Sequence, residues 1–217
     1  MKIAIALFDR FTALDAVGPF QVLKRLPAAD IFFISERRGL ITDDSGALRL
    51  EAPVALADAE DPDIVLVPGG PGSPTEPGEL HEWLRAVDQT STWTTSVCTG
   101  SLVLAAAGLL TGRRATTHWL AREELARLGA EPVTERVVFD GKYVTAAGVS
   151  AGLDMALALA GRIAGDEAAQ AIQLGIEYDP QPPYDAGSES KAPAAVVARV
   201  RAGSRFTAPV DVTSTGL

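Results

Sequence analysis

Short apolar runs alternate with amphipathic segments along most of the chain. The apolar runs are rich in β-branched and aliphatic residues and predict buried strands at 2–7, 30–35, 63–67, 93–97 and 115–117. The segments between and after them predict helices at 14–26, 79–90, 99–107, 119–128, 150–163, 166–177 and 194–201. Buried strands that alternate with helices predict an α/β fold with a mostly parallel, doubly wound central sheet and helices on both faces.

Two segments have hairpin signals instead. Residues 41–54 contain the turn sequence Asp43-Asp44-Ser45-Gly46, which predicts a small hairpin or edge structure. The pair Asp140-Gly141 separates two short apolar runs, 137–139 and 143–145, and is a strong signal for a tight hairpin. With no internal repeat or linker in view, we expect one domain over residues 1–206, followed by a frayed tail over 207–217.

Cys98 is the cysteine of this chain and falls between a predicted strand and a predicted helix. A strand-to-helix corner of this kind holds the nucleophile of many hydrolases out at the top of a sheet. We therefore expect the thiol to be exposed and to face the positive end of a helix, which would lower its pKa. The alternative is a small buried apolar residue without a chemical role.

Two further candidates lie at predicted carboxyl ends of parallel strands, where ligands bind in such folds. Asp15 has apolar neighbours, so its pKa is expected to be raised and its carboxyl could exchange protons near neutral pH. It could also be only a favourable charge in the first turn of a helix. Gly69 and Gly70 could expose backbone amides that, with the Thr99 amide, bind a developing negative charge, or simply form a tight turn.

The histidines have different expected places. His118 begins a predicted helix, where it is either structural or a base near the thiol. His81 lies among charged residues and is predicted to be on the surface.

Composition narrows the possible functions. The chain has 217 residues, 47% of them hydrophobic, and a net charge of −9, which argues against nonspecific binding to nucleic acid or an anionic membrane. One cysteine excludes an intrachain disulfide, and together with two histidines it argues against a zinc site. The sequence shows neither a signal peptide nor a membrane span, so a cytoplasmic location is expected.

Four motifs of the chain are distinctive: Val67-Pro68-Gly69-Gly70, Ser96-Val97-Cys98-Thr99-Gly100, Arg114-Ala115-Thr116-Thr117-His118-Trp119 and Gly148-Val149-Ser150-Ala151-Gly152-Leu153-Asp154. Through them the chain resembles the ThiJ/PfpI superfamily over residues 2–206. The chain is most similar to the isonitrile hydratases within it, through Leu14-Asp15-Ala16-Val17-Gly18-Pro19, Cys98-Thr99 and the segment 177–188. Thr99 stands where the protease branch has histidine, and no histidine follows His118 to complete a glutamine amidotransferase triad.

The resemblance implies a flavodoxin-like sandwich, a homodimer, and no metal or organic cofactor. It implies hydration of a small-molecule isonitrile to the N-substituted formamide, with Cys98 as nucleophile, Asp15 as acid and base, and Thr99 in support. The corner at Cys98 is also compatible with two other functions. One is a non-catalytic redox or stress protein whose thiol is oxidised, and the other is a glyoxalase-like enzyme acting on α-oxoaldehydes with His118 as an added base.

Overall fold

A computed structural model describes residues 1–59 and 61–206, so the tail predicted over 207–217 lies outside the described residues. The strands, in chain order, are β1 (Lys2–Ala6), β2 (Asp30–Ser35), β3 (Gly39–Thr42), β4 (Arg49–Ala52), β5 (Val54–Ala55), β6 (Ile64–Val67), β7 (Trp93–Val97), β8 (Arg114–Ala115), β9 (Glu131–Pro132), β10 (Val137–Asp140) and β11 (Tyr143–Ala146). The helices are α1 (Ala13–Leu23), α2 (Glu79–Val87), α3 (Gly100–Ala106), α4 (Arg122–Arg127), α5 (Ala151–Ala164), α6 (Asp166–Gly175) and α7 (Ala194–Ala202).

The central sheet has seven strands in the order β10-β11-β7-β6-β1-β2-β5. Every pair in it is parallel except β10 with β11, which form the antiparallel hairpin predicted at Asp140-Gly141. The predicted hairpin near residues 41–54 is also confirmed, because β3 and β4 pair in antiparallel fashion beside the sheet.

Alternate residues of the central strands face two separate cores. Ile3 and Ile5 of β1 pack into a cluster that includes apolar residues of α1 and α5. Ala4 and Ala6 of the same strand pack into a second cluster, with residues of α2 and α3. Both faces of the sheet are therefore covered by helices, and the predicted doubly wound α/β architecture is confirmed.

Three local predictions differ from the structure. The strand predicted at 115–117 is the short β8, which pairs with β9 outside the central sheet. The helix predicted from residue 119 starts with a 3-10 turn, Trp119–Ala121, before α4. The surface position predicted for His81 was wrong, because its ring is buried and its Nε2 lies 3.3 Å from the Pro74 carbonyl oxygen. The apolar face of α2 carries it inward.

Within the described ranges, no helix has both the length and the apolar character needed to cross a membrane.

The carboxyl ends of three adjacent parallel strands, β1, β6 and β7, meet at one edge of the sheet. The chain leaves β1 toward Asp15, leaves β6 through Pro68-Gly69-Gly70, and leaves β7 at Cys98. This topology brings the sequence candidates to the same edge.

The start of α3 presses on the end of β6, and this contact requires a glycine. A Cβ on Gly100 would lie 2.1 Å from the Val67 carbonyl oxygen and 2.8 Å from that of Pro68. We expect Gly100→Ala to lower the free energy of unfolding by about 1–3 kcal/mol or more in urea titrations. Gly187→Ala is the matched control, because nothing lies within 4 Å of its added Cβ. Equal stability of the two variants would contradict the packing described.

Candidate active site

Cys98 stands at a strand-to-helix corner, as the sequence predicts. Cys98 follows β7 directly, and its backbone is left-handed, with φ of 56°. Its amide donates to the carbonyl oxygens of Ala146 and Ala147, both at 3.0 Å, and α3 begins two residues later, at Gly100. A left-handed conformation is unfavourable for a residue with a side chain, by about 1–2 kcal/mol, and such strain is typical of functional corners.

The loop after β6 lies directly on this corner. A Cβ at Gly69 would come within 2.4 Å of the Thr99 nitrogen and 2.8 Å of the Cys98 Cβ. Only glycine permits this approach. The loop at Gly69 therefore lies in contact with Cys98 and Thr99 and covers them.

Asp15 is buried in the first turn of α1 and is held by this loop. The Gly69 amide donates to its Oδ2 at 2.9 Å, whereas Oδ1 accepts no well-formed hydrogen bond from a described group. Burial raises the pKa of Asp15 to about 7, and the charge of Asp44 adds to the rise. The Gly69 amide and the interaction with the Cys98 thiol partly lower this pKa. The raised pKa expected from the apolar neighbours is thus present in the structure.

The expected exposure and lowered pKa of the Cys98 thiol were wrong. The residue is only 5% exposed, and burial raises the pKa of the thiol far above its ordinary value. The charge of Asp15 raises it further, while the backbone amides of Thr99 and Val149, which face the sulfur, lower it. Helix α3 has only seven residues, and its field does not offset the loss of water around the sulfur.

Thr99 is fixed by a network of hydrogen bonds with the same loop. Its Oγ1 accepts from the Gly70 amide at 2.8 Å and lies 2.8 Å from the Ser73 hydroxyl, which also donates to the Gly70 carbonyl at 2.9 Å. The Gly69 and Gly70 amides are thus engaged by Asp15 and Thr99 rather than free. The amides aimed at the sulfur are those of Thr99 and Val149.

His118 lies beside the site without a hydrogen bond to the sulfur among the described contacts. Its Nδ1 accepts from the Leu120 amide at 3.4 Å, and its ring packs so tightly on Gly148 that a Cβ there would lie 2.9 Å from Cδ2. Burial, followed by the charge of Arg122, lowers the pKa of His118, so the ring is neutral near pH 7. A neutral ring fits a role in the wall of a pocket.

A cavity of about 610 Å³ opens beside the corner. It is lined by residues of the segments 116–119, 147–150 and 187–190, together with Leu14, Arg122, Thr134 and Arg136. Cys98, Asp15 and Thr99 do not line it. The cavity is joined to the corner by two wall residues: Val149, whose amide faces Sγ, and Thr117, whose hydroxyl donates to the Cys98 carbonyl at 3.0 Å.

Both arginines in the cavity wall are paired with carboxylates. Arg122 forms an ion pair with Glu189, and Arg136 forms one with Asp154. Across residues 1–59 and 61–206, no group of three or more His, Cys, Asp or Glu side chains is arranged to hold a metal ion.

Sequence reasoning missed two contributors to the site. Val149 stands in the motif Gly148-Val149-Ser150, but nothing in that motif indicates that its amide faces the sulfur. Ser73 lies in a loop with no distinguishing local pattern, and only the fold places its hydroxyl against Thr99.

The model of the DJ-1/PfpI family matches residues 1–162 of the chain. This chain belongs to the DJ-1/PfpI family. An isonitrile hydratase of Pseudomonas putida is 42% identical over 98% of this chain and 95% of that protein. Among more distant family members, a deglycase of Thermococcus kodakarensis is 28% identical over 67% of this chain and 89% of its own.

Solved structures of the DJ-1/PfpI family have the same fold. A ThiJ/PfpI family protein from Pseudomonas syringae superimposes with a TM-score of 0.89 at 36% identity, over 93% of this chain and 84% of that chain. Drosophila melanogaster DJ-1beta superimposes with a TM-score of 0.75 at 22% identity, over 82% of this chain and 98% of its own. The second likeness concerns the fold alone.

The buried carboxyl of Asp15 has a consequence for stability. Its pKa in the folded protein, about 7, lies above the ordinary value of 3.8, so its contribution to stability is complete below pH 3.8 and is lost as the pH rises to about 7. We expect Asp15→Asn to raise the free energy of unfolding at pH 8 by up to about 4 kcal/mol, and to have little effect near pH 4. Urea titrations at both pH values test this. Asp58→Asn, at an exposed carboxylate, is the control. An Asp15→Asn variant that is less stable than the wild type at pH 8 would contradict the expectation.

Proposed function

We propose that this protein hydrates isonitriles, R–N≡C, to N-substituted formamides, with Cys98 as the nucleophile and Asp15 as the acid and base. The observation that carries the proposal is the buried interaction of the Asp15 carboxyl with the Cys98 thiol beside a cavity. The similarity to a protein named isonitrile hydratase supports the choice of substrate.

The chemistry of the substrate fits a buried pair that holds a proton. The terminal carbon of an isonitrile must receive both a proton and a nucleophile. A thiol beside a carboxylate holds one transferable proton: Asp15 takes it from the sulfur and delivers it to the carbon, while the sulfur forms the C–S bond. The product is a thioimidate, R–N=CH–S–Cys98. A permanently ionised thiolate is therefore not needed, and the raised pKa of Cys98 is compatible with this reaction.

The second half of the reaction consumes water. Asp15, now ionised, accepts a proton from a water molecule, whose oxygen adds to the thioimidate carbon, and Asp15 passes that proton to the nitrogen. The C–S bond then breaks as Asp15 carries the remaining hydroxyl proton of the adduct to the sulfur, and R–NH–CHO leaves. The overall change adds one water to the isonitrile, so no redox partner is required.

The surroundings of the pair have supporting roles in this scheme. The Thr99 and Val149 amides stabilise negative charge on the sulfur in the transition state. The network through Gly69, Gly70 and Ser73 holds Asp15 and Thr99 in place. The Gly69 and Gly70 amides, which the sequence predicts to bind a developing negative charge, have no such part in this scheme because they donate to Asp15 and Thr99. The homodimer, the cytoplasmic location and the absence of a cofactor remain predictions.

The cavity is suited to an uncharged substituent R. Its arginines are neutralised by Glu189 and Asp154, and His118 is neutral near pH 7. Leu14, Trp119 and Val149 supply apolar wall. We therefore place R in this cavity, with His118 among the side chains that touch it.

Turnover of cyclohexyl isocyanide to its formamide tests the proposal. We expect Cys98→Ala to abolish turnover and Asp15→Asn to lower kcat by about 10²–10⁴-fold, since proton transfer by a positioned group contributes that much. The exposed Asp58→Asn should behave like the wild type. Intact mass spectrometry should detect one isonitrile added to the wild type and none added to Cys98→Ala.

Different failures of this experiment have different meanings. Hydration retained by Cys98→Ala would exclude the covalent route. A wild type that makes no formamide would overturn the proposed function. In that case, conversion of methylglyoxal would favour the glyoxalase-like alternative. Addition of two oxygen atoms to Cys98 by peroxide would favour the redox alternative.

The pH dependence of kcat/KM follows from the pair. Below pH 7, Asp15 is protonated and cannot accept the thiol proton, so we expect kcat/KM to rise with pH through an apparent pKa of about 7 and then level off. The kcat/KM of Asp15→Asn should show no such rise near pH 7. A wild-type profile that is flat between pH 5 and 9 would contradict the role of Asp15.

A further inference from the structure

The segment that follows α7 reaches back to the candidate active site. It lies well beyond residues 1–162, which match the family model. The Arg205 guanidinium donates to the Pro71 carbonyl through Nη1, and to the Gly70 carbonyl through Nη2 at 3.2 Å. One side chain from the far end of the described chain thus contacts the loop that covers Cys98.

The segment is anchored by its neighbours. Phe206 packs against the core cluster on the α2 and α3 face, and its amide donates to the Ser204 hydroxyl at 3.1 Å. The Arg205 guanidinium lies 4.6 Å from the centre of the Phe206 ring. An arginine held by two carbonyls and an aromatic ring is oriented rather than free in solvent.

We propose that Arg205 is a positioning residue for the Cys98 site: it fixes the Gly70 peptide that holds Thr99. The proposal rests on a chain of direct contacts. Arg205 binds the Gly70 carbonyl, and the amide of the same residue donates to Thr99 Oγ1 at 2.8 Å. Arg205 therefore acts through the loop and does not touch the reacting atoms.

The first test measures access to the thiol and needs no isonitrile. The rate of Cys98 alkylation by iodoacetamide is recorded at pH 8 for the wild type, Arg205→Lys and Arg205→Gln. Because the Gly70 loop covers the buried sulfur, loss of the anchoring contacts in Arg205→Gln should raise the alkylation rate by about 2–10-fold. Arg205→Lys lacks the planar fork that reaches both carbonyls and should also raise the rate, by a smaller factor.

One control separates a specific effect from a general one. Arg199→Gln removes an exposed positive charge from α7 and should leave the alkylation rate unchanged. Equal rates for wild type and Arg205→Gln, or equal increases in Arg205→Gln and Arg199→Gln, would overturn the positioning role.

Catalysis gives a second readout, which rests on the proposed function. Loss of the Gly70 contact should lower kcat for the isonitrile in both Arg205→Lys and Arg205→Gln, with KM changed little, and unchanged kcat in both would overturn the positioning role. If the wild type does not hydrate isonitriles while the alkylation rates rise as expected, then the proposed function fails and the positioning role of Arg205 stands.

Discussion

The interaction of one carboxyl with one thiol, both removed from water, is the constraint on which the rest of this site depends. Burial disfavours a charge on either group and raises both pKa values, and the charge of Asp15 further opposes ionisation of the thiol. The covering loop, with the close approach at Gly69, keeps water away. A looser loop would free the thiol to ionise alone and would remove the coupling on which the proposed proton transfer relies.

The architecture explains how a few backbone groups support that interaction. Neighbouring parallel strands end together, so the loops after β6 and β7 touch without any long side chain between them. The Gly69 amide binds Asp15, the Gly70 amide binds Thr99, and the Thr99 and Val149 amides face the sulfur. Rigid peptide dipoles thus replace the water that the site excludes.

The parts predictable from sequence are those that depend on nearby residues. The strand-helix alternation, the corner at Cys98 and the raised pKa of Asp15 follow from local hydrophobic pattern. The burial of Cys98 does not, since it depends on a loop that begins 29 residues earlier in the chain at Gly69 and on the segment around Val149. The contact of Arg205 with Gly70 spans 135 positions, and no local pattern indicates it.

The left-handed backbone at Cys98 also limits how this position can change over evolution. Residues branched at Cβ are poorly tolerated there, because the branch meets the following carbonyl group. Serine and alanine fit the corner more readily than threonine or valine. Few residues can therefore replace Cys98 while the fold is kept. A relative that lacks the proposed activity is expected to carry a small unbranched side chain at this position.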